Sequence, residues 1–259
     1  MKLIATETAL IRYLKQEFPE NWAEPWDFVG YSIKTKNGTK PLKILTCLDV
    51  DSQVVTQAIA NDVSLILSFH PFCFAPDWKT VYAYDPLKKT LVQKLKKAQI
   101  NVYSLHTNFD RHPQGTKYWL MQKLGWQKQI SQTFTYTYLI NLKQSLQDLV
   151  THLKTQLKIN FVITNCQAND LIDQVYLAPG ASDVYQFLET INDPNVTLIT
   201  SDVKWNEQQL LHDLGYKFIL ISHQTEAVFN QGITTFLKAR LDPTIKILNY
   251  ETADFLRGY

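Results

Sequence analysis

Three short runs constrain this chain more than any other feature: KILTCLDV (43–50), VSLILS (63–68) and INVYSL (100–105). Each is almost continuously apolar rather than alternating, the pattern of a strand buried on both faces. Between the first two lies SQVVTQAIAND, which sets Val54, Val55, Ala58 and Ile59 on one helical face. A helix over 87–98 separates the second run from the third, and 6–17 predicts a first helix, followed by a loop, PENWAEPWDFVGY. Strands alternating with helices in this way predict a largely parallel sheet covered on both sides.

The pattern then changes. TFTYTYLINL (133–142) has the β-branched and aromatic content of a strand, and KQSLQDLVTHLKTQL carries a leucine stripe of helical period. INFVIT, DQVYLA, VTLIT and KFILIS predict further strands, with helices near 182–191, 204–214 and 225–240 and a last strand at 245–249. The expectation is a two-lobed α/β protein with mixed, largely parallel sheets flanked by helices. An N-terminal lobe would span 1–128 and a C-terminal lobe 129–259. A single large sheet stays open, since no Pro/Gly/Ser linker marks the boundary.

Charge excludes some partners. Lys plus Arg exceed Asp plus Glu by only 26 to 24, so there is no field to hold a polyanion. The lysines at 88, 89, 94, 96 and 97 interleave with Leu87, Leu91, Val92 and Leu95 at helical spacing, which makes them the solvated face of an amphipathic helix. Nucleic acid is therefore not an expected partner. Three scattered cysteines make no disulfide framework or zinc knuckle, and Cys73, between Phe72 and Phe74, is expected to be a buried structural thiol. No apolar run approaches the roughly 18 residues of a membrane span, and the first residues show no secretory pattern. A cytoplasmic protein with no membrane contact is the expectation.

In open α/β sheets, ligands bind beyond the carboxyl ends of the strands. His70 follows VSLILS, His106 and Asp110 follow INVYSL, Ser201-Asp202 follow VTLIT, and Ser222-His223 with Glu226 follow KFILIS. Imidazole and carboxylate at one mouth can hold Zn, Mn, Fe or Mg with positions open to water. A histidine after a strand can equally be a hydrogen-bonded loop residue, and His112, His152 and His212 are placed in that class. Pro179-Gly180-Ala181-Ser182 could offer backbone N–H groups to an anion, but a helix cap by Ser182 or Asp183 is the simpler reading. No G-x-S-x-G elbow, Walker loop or dinucleotide fingerprint occurs.

WDFVG (26–30), CLDVDSQVVTQAI, SFHPFCF, HTNFDRHPQGTKYWLMQKLG and LITSDVKWNEQQLLHDLGYKFILISHQTE together resemble the NIF-three-like family, also known as GTP cyclohydrolase 1 type 2 homologues. The similarity spans nearly the whole chain, and the HTN-x-D block is its most specific part. It implies a toroidal homohexamer with a two-metal site at the lobe junction. The family's first metal is held by the second His of S-H-H-P, the Asp of H-T-N-x-D and a late Glu, which match His70, Asp110 and Glu226. Its second metal uses the first His of S-H-H-P and a His four residues before that Glu. Those positions are Phe69 and Ser222 here, and neither replaces imidazole. His223 stands one residue late, so it would serve a second metal only through a register shift.

The resemblance thus implies one divalent metal per chain, at His70, Asp110 and Glu226, with His106 and His223 as candidate catalytic proton carriers. A metal-dependent hydrolase acting on a nucleotide-like or phosphorylated small molecule is one reading. A non-catalytic ring-forming binding or scaffold protein with a degraded dinuclear site is a second, and a purely structural core with no metal ranks last, since it makes His70, Asp110 and Glu226 coincidental.

Overall fold

The computed structural model describes residues 3–36, 40–251 and 255–256. The chain divides into two units, one of residues 1–115 and 229–252, the other of 116–228 and 253–259.

In the first unit the elements are α1 (Glu7–Glu17), β1 (Gly30–Ile33), β2 (Ile44–Cys47), α2 (Ser52–Ala60), β3 (Leu65–Ser68), α3 (Trp78–Tyr84), α4 (Pro86–Lys97), β4 (Asn101–Ser104) and α5 (Thr107–Asp110). The second unit contributes α6 (Thr116–Leu124), β5 (Ile130–Thr133), β6 (Tyr138–Ser145), α7 (Leu146–Leu157), β7 (Ile163–Thr164), β8 (Leu171–Leu177), α8 (Val184–Thr190), β9 (Val196–Thr200), α9 (Trp205–Asp213) and β10 (Phe218–Leu220). After a 3-10 turn, His223–Ala227, the chain enters α10 (Val228–Lys238) and ends in β11 (Ile247–Asn249).

The first unit's sheet runs β1-β4-β3-β2-β11, with β1 antiparallel and the other neighbours parallel. Every residue of β2, β3 and β4 is buried, which is why those runs are continuously apolar. Val54, Val55 and Ala58 of α2 and Leu91, Val92 and Leu95 of α4 pack on Leu45, Ile66 and Val102. Elsewhere in the unit Phe18 meets Phe109 and Phe236, each with centroids 5.1 Å apart.

The second sheet runs β5-β6-β8-β9-β10-β7, parallel only through β8-β9-β10. Leu120, Met121 and Leu124 of α6 and Leu149, Leu153 and Leu157 of α7 pack on Ile140, Val175 and Ile199. A separate cluster joins Val184 and Phe187 of α8 and Leu211 of α9 to Tyr176, Leu198 and Phe218.

Several expectations are revised. The first unit ends at Gly115, ahead of the 128/129 boundary, because α6 packs its leucines into the second core. The last helix and strand return to the first unit, where β11 pairs with β2 from Ile247 opposite Ile44. Asn249 fixes that return, accepting from Thr46 Oγ1 at 2.9 Å and Thr234 Oγ1 at 2.8 Å. TFTYTYLINL is not one strand: the chain reverses at Phe134–Thr137, with Phe134 N–H donating to Thr137 O at 3.0 Å. No Gly or Pro announces that reversal. INFVIT pairs only through Ile163–Thr164; beyond it the Asn165 amide takes over, donating to Tyr216 O and accepting from Phe218 N, both at 2.9 Å. Cys73 is half-buried and points its thiol at Ala75 O, 3.5 Å away. Among the described residues no helix is long and apolar enough to cross a membrane.

Candidate functional site

Each unit carries its polar cluster at the carboxyl ends of its parallel strands. In the first, the residues after β3 continue the ladder: Phe69 and His70 donate through their backbones to Cys47 O and Leu48 O, both at 3.0 Å. The buried Ser68 hydroxyl lies 2.8 Å from Ser104 Oγ and donates to His70 O at 2.9 Å, tying the ends of β3 and β4 together. His70 is therefore held at its backbone before its ring makes any contact. Its Nδ1 lies 2.8 Å from Asp49 Oδ1, on the loop after β2. A carboxylate on one ring nitrogen fixes the tautomer that presents Nε2 outward, the usual support of a metal-binding imidazole. A cleft of about 260 Å³ adjoins it, lined by Asp49, Asp51, Phe72 and Lys88 among others.

The HTN block is a set of braces around His106. The imidazole Nδ1 lies 3.0 Å from Asp27 Oδ1, and Asp27 Oδ2 accepts from Thr107 N–H at 3.0 Å and Thr107 Oγ1 at 2.5 Å. Burial alone would raise the Asp27 pKa, but His106 and Thr107 outweigh it and hold the carboxyl below its usual range. Asn108 accepts from His106 N–H at 3.0 Å and donates to Phe18 O at 2.9 Å. Asp110 ends α5, half-buried, its backbone donating to His106 O at 3.1 Å. Gly115 closes over this turn, where a Cβ would fall 2.8 Å from Asp110 O, too close for any other residue.

Phe69 stands where the resemblance would place a second histidine. It is 0% exposed, with its ring centroid 5.1 Å from both His70 and His106 and 5.3 Å from Phe229. A core phenylalanine thus occupies that position.

In the second unit, Ser201-Asp202 follow β9 and Ser222-His223 follow β10. His223 is clamped by carboxylates on both ring nitrogens: Nδ1 meets Asp202 Oδ2, and Nε2 lies 2.7 Å from Glu226 Oε2. Burial pulls the His223 pKa down, but the two acidic partners outweigh it and push it up to about 9. Glu226 is only 5% exposed. Its carboxylate is accommodated by Gly180, which has φ +68° and whose Cβ would lie 2.9 Å from Glu226 Cδ. Gly180 O is itself fixed, accepting from Thr200 Oγ1 at 2.7 Å and Ser201 N–H at 2.8 Å. The Pro-Gly-Ala-Ser stretch therefore makes room for a carboxylate, and Asp183 caps α8 through Gln186 N–H at 3.0 Å. A cleft of about 390 Å³ adjoins His223, with Phe161, Ile163 and Leu220 on its apolar side and Ser201, Asp202 and Ser222 on its polar side.

Two of the set-aside histidines are structural. His152 stacks on Trp126 at 5.2 Å and its Nε2 lies 2.8 Å from Leu124 O, while His112 Nδ1 accepts from Gln114 N–H at 3.0 Å. Sequence reasoning missed the roles of Asp27, Asp49 and Gly180. Asp27 and Asp49 stand in quoted motifs, but only strand order puts them beside a histidine.

Donor groups suited to a divalent metal are present in both units, His70 in the first and His223 and Glu226 in the second. The chain belongs to the Duf34/NIF3 (NGG1p interacting factor 3) family, whose match covers residues 5–254. A GTP cyclohydrolase 1 type 2 homolog of Mycoplasmopsis pulmonis is 31% identical over 239 residues, covering 92% of this chain and 95% of the relative. Another, from Ureaplasma parvum, is 27% identical, covering 85% of each chain. The fold is shared with a Staphylococcus aureus hypothetical protein (TM-score 0.81, 21% identity, 97% of this chain and 98% of that one). A Bacillus cereus protein related to NIF3 superposes equally well, with TM-score 0.81 at 16% identity and 98% of each chain covered.

Proposed function

We propose that this chain binds one divalent metal ion through His70, Asp110 and Glu226 and is a metal-dependent hydrolase acting on a nucleotide-like or phosphorylated small molecule. The observation that carries the reading is Glu226, a carboxylate 5% exposed at a strand end, with a glycine kept opposite it to give it room. Carboxylates are buried at that cost where they are paired or bind metal. The donor set fits: imidazole nitrogen and carboxylate oxygen suit Zn, Mn, Fe or Mg, and His70 has its supporting carboxylate in Asp49.

A divalent ion held there would polarise a substrate oxygen and lower the pKa of a bound water. This chain's residues supply the rest. His106, braced through Nδ1 by Asp27, is set to move a proton at Nε2. Asp202 holds His223 in the same way, through the histidine's Nδ1. The clefts beside His70 and His223, about 260 and 390 Å³, give a small molecule space to lie against those two histidines.

One observation favours a variant of this reading. His223 Nε2 is directed at Glu226, so His223 is a candidate ligand as well as a proton carrier. Metal analysis of untagged protein after supplementation with Mn, Fe or Zn tests both. About one equivalent per chain, lost in His70→Ala and Glu226→Ala, supports the proposal; no metal in the wild type sinks it. Loss in His223→Ala as well assigns His223 to the ligands. We further propose the family's ring assembly in a cytoplasmic setting. Light scattering that gives a hexamer without metal and without hydrolysis of any nucleotide would favour the scaffold reading instead.

A further inference from the structure

We propose that Trp26 and Phe74 form a stacking wall for a planar ring of the substrate, beside His106. The inference rests on the hydrolase reading above, since it takes His106 as a group the substrate must touch. Asp27 engages Nδ1 of this imidazole, so Nε2 is the nitrogen a bound molecule would meet. Beyond Phe69 and His70, at 5.1 and 5.4 Å, the rings that flank it are Trp26 and Phe74, with centroids 6.0 and 5.9 Å from His106 and planes at 74° and 72° to it. They lie 6.1 Å from each other, and Phe28 stands behind Phe74 at 6.3 Å.

The exposure of these rings separates them from the rest of the aromatic network. Phe69 touches the same imidazole from the packed side and is 0% exposed, whereas Trp26 is 55%, Phe74 42% and Phe28 36% exposed. Clustered large aromatics left open to water mark a contact surface rather than a core. Three half-exposed side chains fall far short of the roughly 800 Å² per partner that a stable protein interface buries. The patch matches a small molecule in scale, and it edges His106. Its chemistry is that of two π-faces, which take a flat aryl or heteroaromatic ring by offset or edge contact. The substrate class is then a compound whose planar ring lies on Trp26 and Phe74 and whose reacting group, a bond or two away, reaches Nε2 of His106.

The test uses the full chain and three probes: quinoline and adenosine, which are planar, and cyclohexanol, which is not. Dissociation constants come from ligand-observed NMR titration. Quinoline and adenosine should bind more tightly than cyclohexanol, and Trp26→Ala and Phe74→Ala should each weaken them by about fivefold or more, the low end of measured ring-on-base stacking. Trp26→Phe should retain most of the affinity. Metal content, measured on the same samples, should be unchanged in all three variants. Equal binding of all probes, or unchanged affinity in both alanine variants, overturns the proposal. So does a wild type that binds no planar probe but loses mass by light scattering in Trp26→Ala, which would make the patch a subunit contact. A wild type without metal that still loses planar binding in the variants overturns the hydrolase reading and leaves the wall standing.

Discussion

Gly180→Ala isolates the buried carboxylate from the backbone that surrounds it. Gly180 has φ +68°, and an alanine there pays about 1–2 kcal/mol for the left-handed conformation alone. Its Cβ would also stand 2.9 Å from Glu226 Cδ, closer than real Cβ contacts come. The carboxylate must move, and the charge-assisted bond to His223, 2.7 Å in length, is lost at about 1.5–3 kcal/mol. The expected total is about 2.5–5 kcal/mol. Gly215→Ala is the internal control, because Gly215 has φ +78° with nothing within 4 Å of an added Cβ. It carries the backbone cost only, about 1–2 kcal/mol. Urea unfolding followed by second-unit probes should give Gly180→Ala a midpoint roughly 1 M lower than Gly215→Ala, at a slope of about 2 kcal/mol per M. Equal midpoints would refute the claim that Gly180 is kept for Glu226.

Lys117 is 5% exposed, and burial pushes its pKa down to about 8, against about 10.4 in the unfolded chain. Between those values the unfolded state holds more protons, so stability should rise with pH by about 3 kcal/mol. Lys117→Met should remove that rise; identical pH profiles from pH 7 to 10.5 would contradict it. Asp27 behaves oppositely: its folded pKa is lowered, so its contribution is full above about pH 4 and is lost as pH falls through the folded value. Asp27→Asn should therefore flatten the acid limb of thermal stability, and an unaltered limb would count against the His106 brace. Phe69→Ala should cost about 3–5 kcal/mol in chemical denaturation, since a fully buried ring contacting Phe109 and Phe229 leaves a cavity. Less than about 1 kcal/mol would mean the position is not core. Phe69→His with Ser222→His should raise metal stoichiometry towards two per chain, read by elemental analysis, if Phe69 and Ser222 stand where the family's second-metal histidines stand.

Much of the fold was legible because the strong signals were local. β2, β3 and β4 are buried on both faces and wrote themselves as continuous apolar runs, and α2, α4 and α7 carry plain helical stripes. What was not legible depends on distant partners. β11 has three residues and pairs with a strand some 200 positions earlier, so nothing nearby signals that it belongs to the first unit. The hairpin at Phe134–Thr137 turns without a turn residue. The site divides the same way. His70, His106 and His223 announce themselves at strand ends, but Asp27, Asp49 and Gly180 act only through neighbours that the sheet order supplies.

The position of His223 shows how backbone form can change what a sequence offset means. The resemblance would set a histidine four residues before the late glutamate, a spacing that on an α-helix puts both on one face. Here that position is Ser222, and the histidine stands three residues before Glu226. The segment His223–Ala227 is a 3-10 turn, in which positions i and i+3 eclipse. The three-residue offset therefore brings His223 Nε2 to 2.7 Å from Glu226 Oε2. Ser222, one residue outside the turn, offers its backbone carbonyl to Thr225 N–H at 3.0 Å. A histidine that looks displaced in the sequence is thus aimed at the carboxylate by the local helix type. Moving it back by one residue, as Ser222→His with His223→Ser, should break its contact with Glu226. The raised histidine pKa near 9 would then return towards 6.5, an effect NMR titration of the imidazole would read directly.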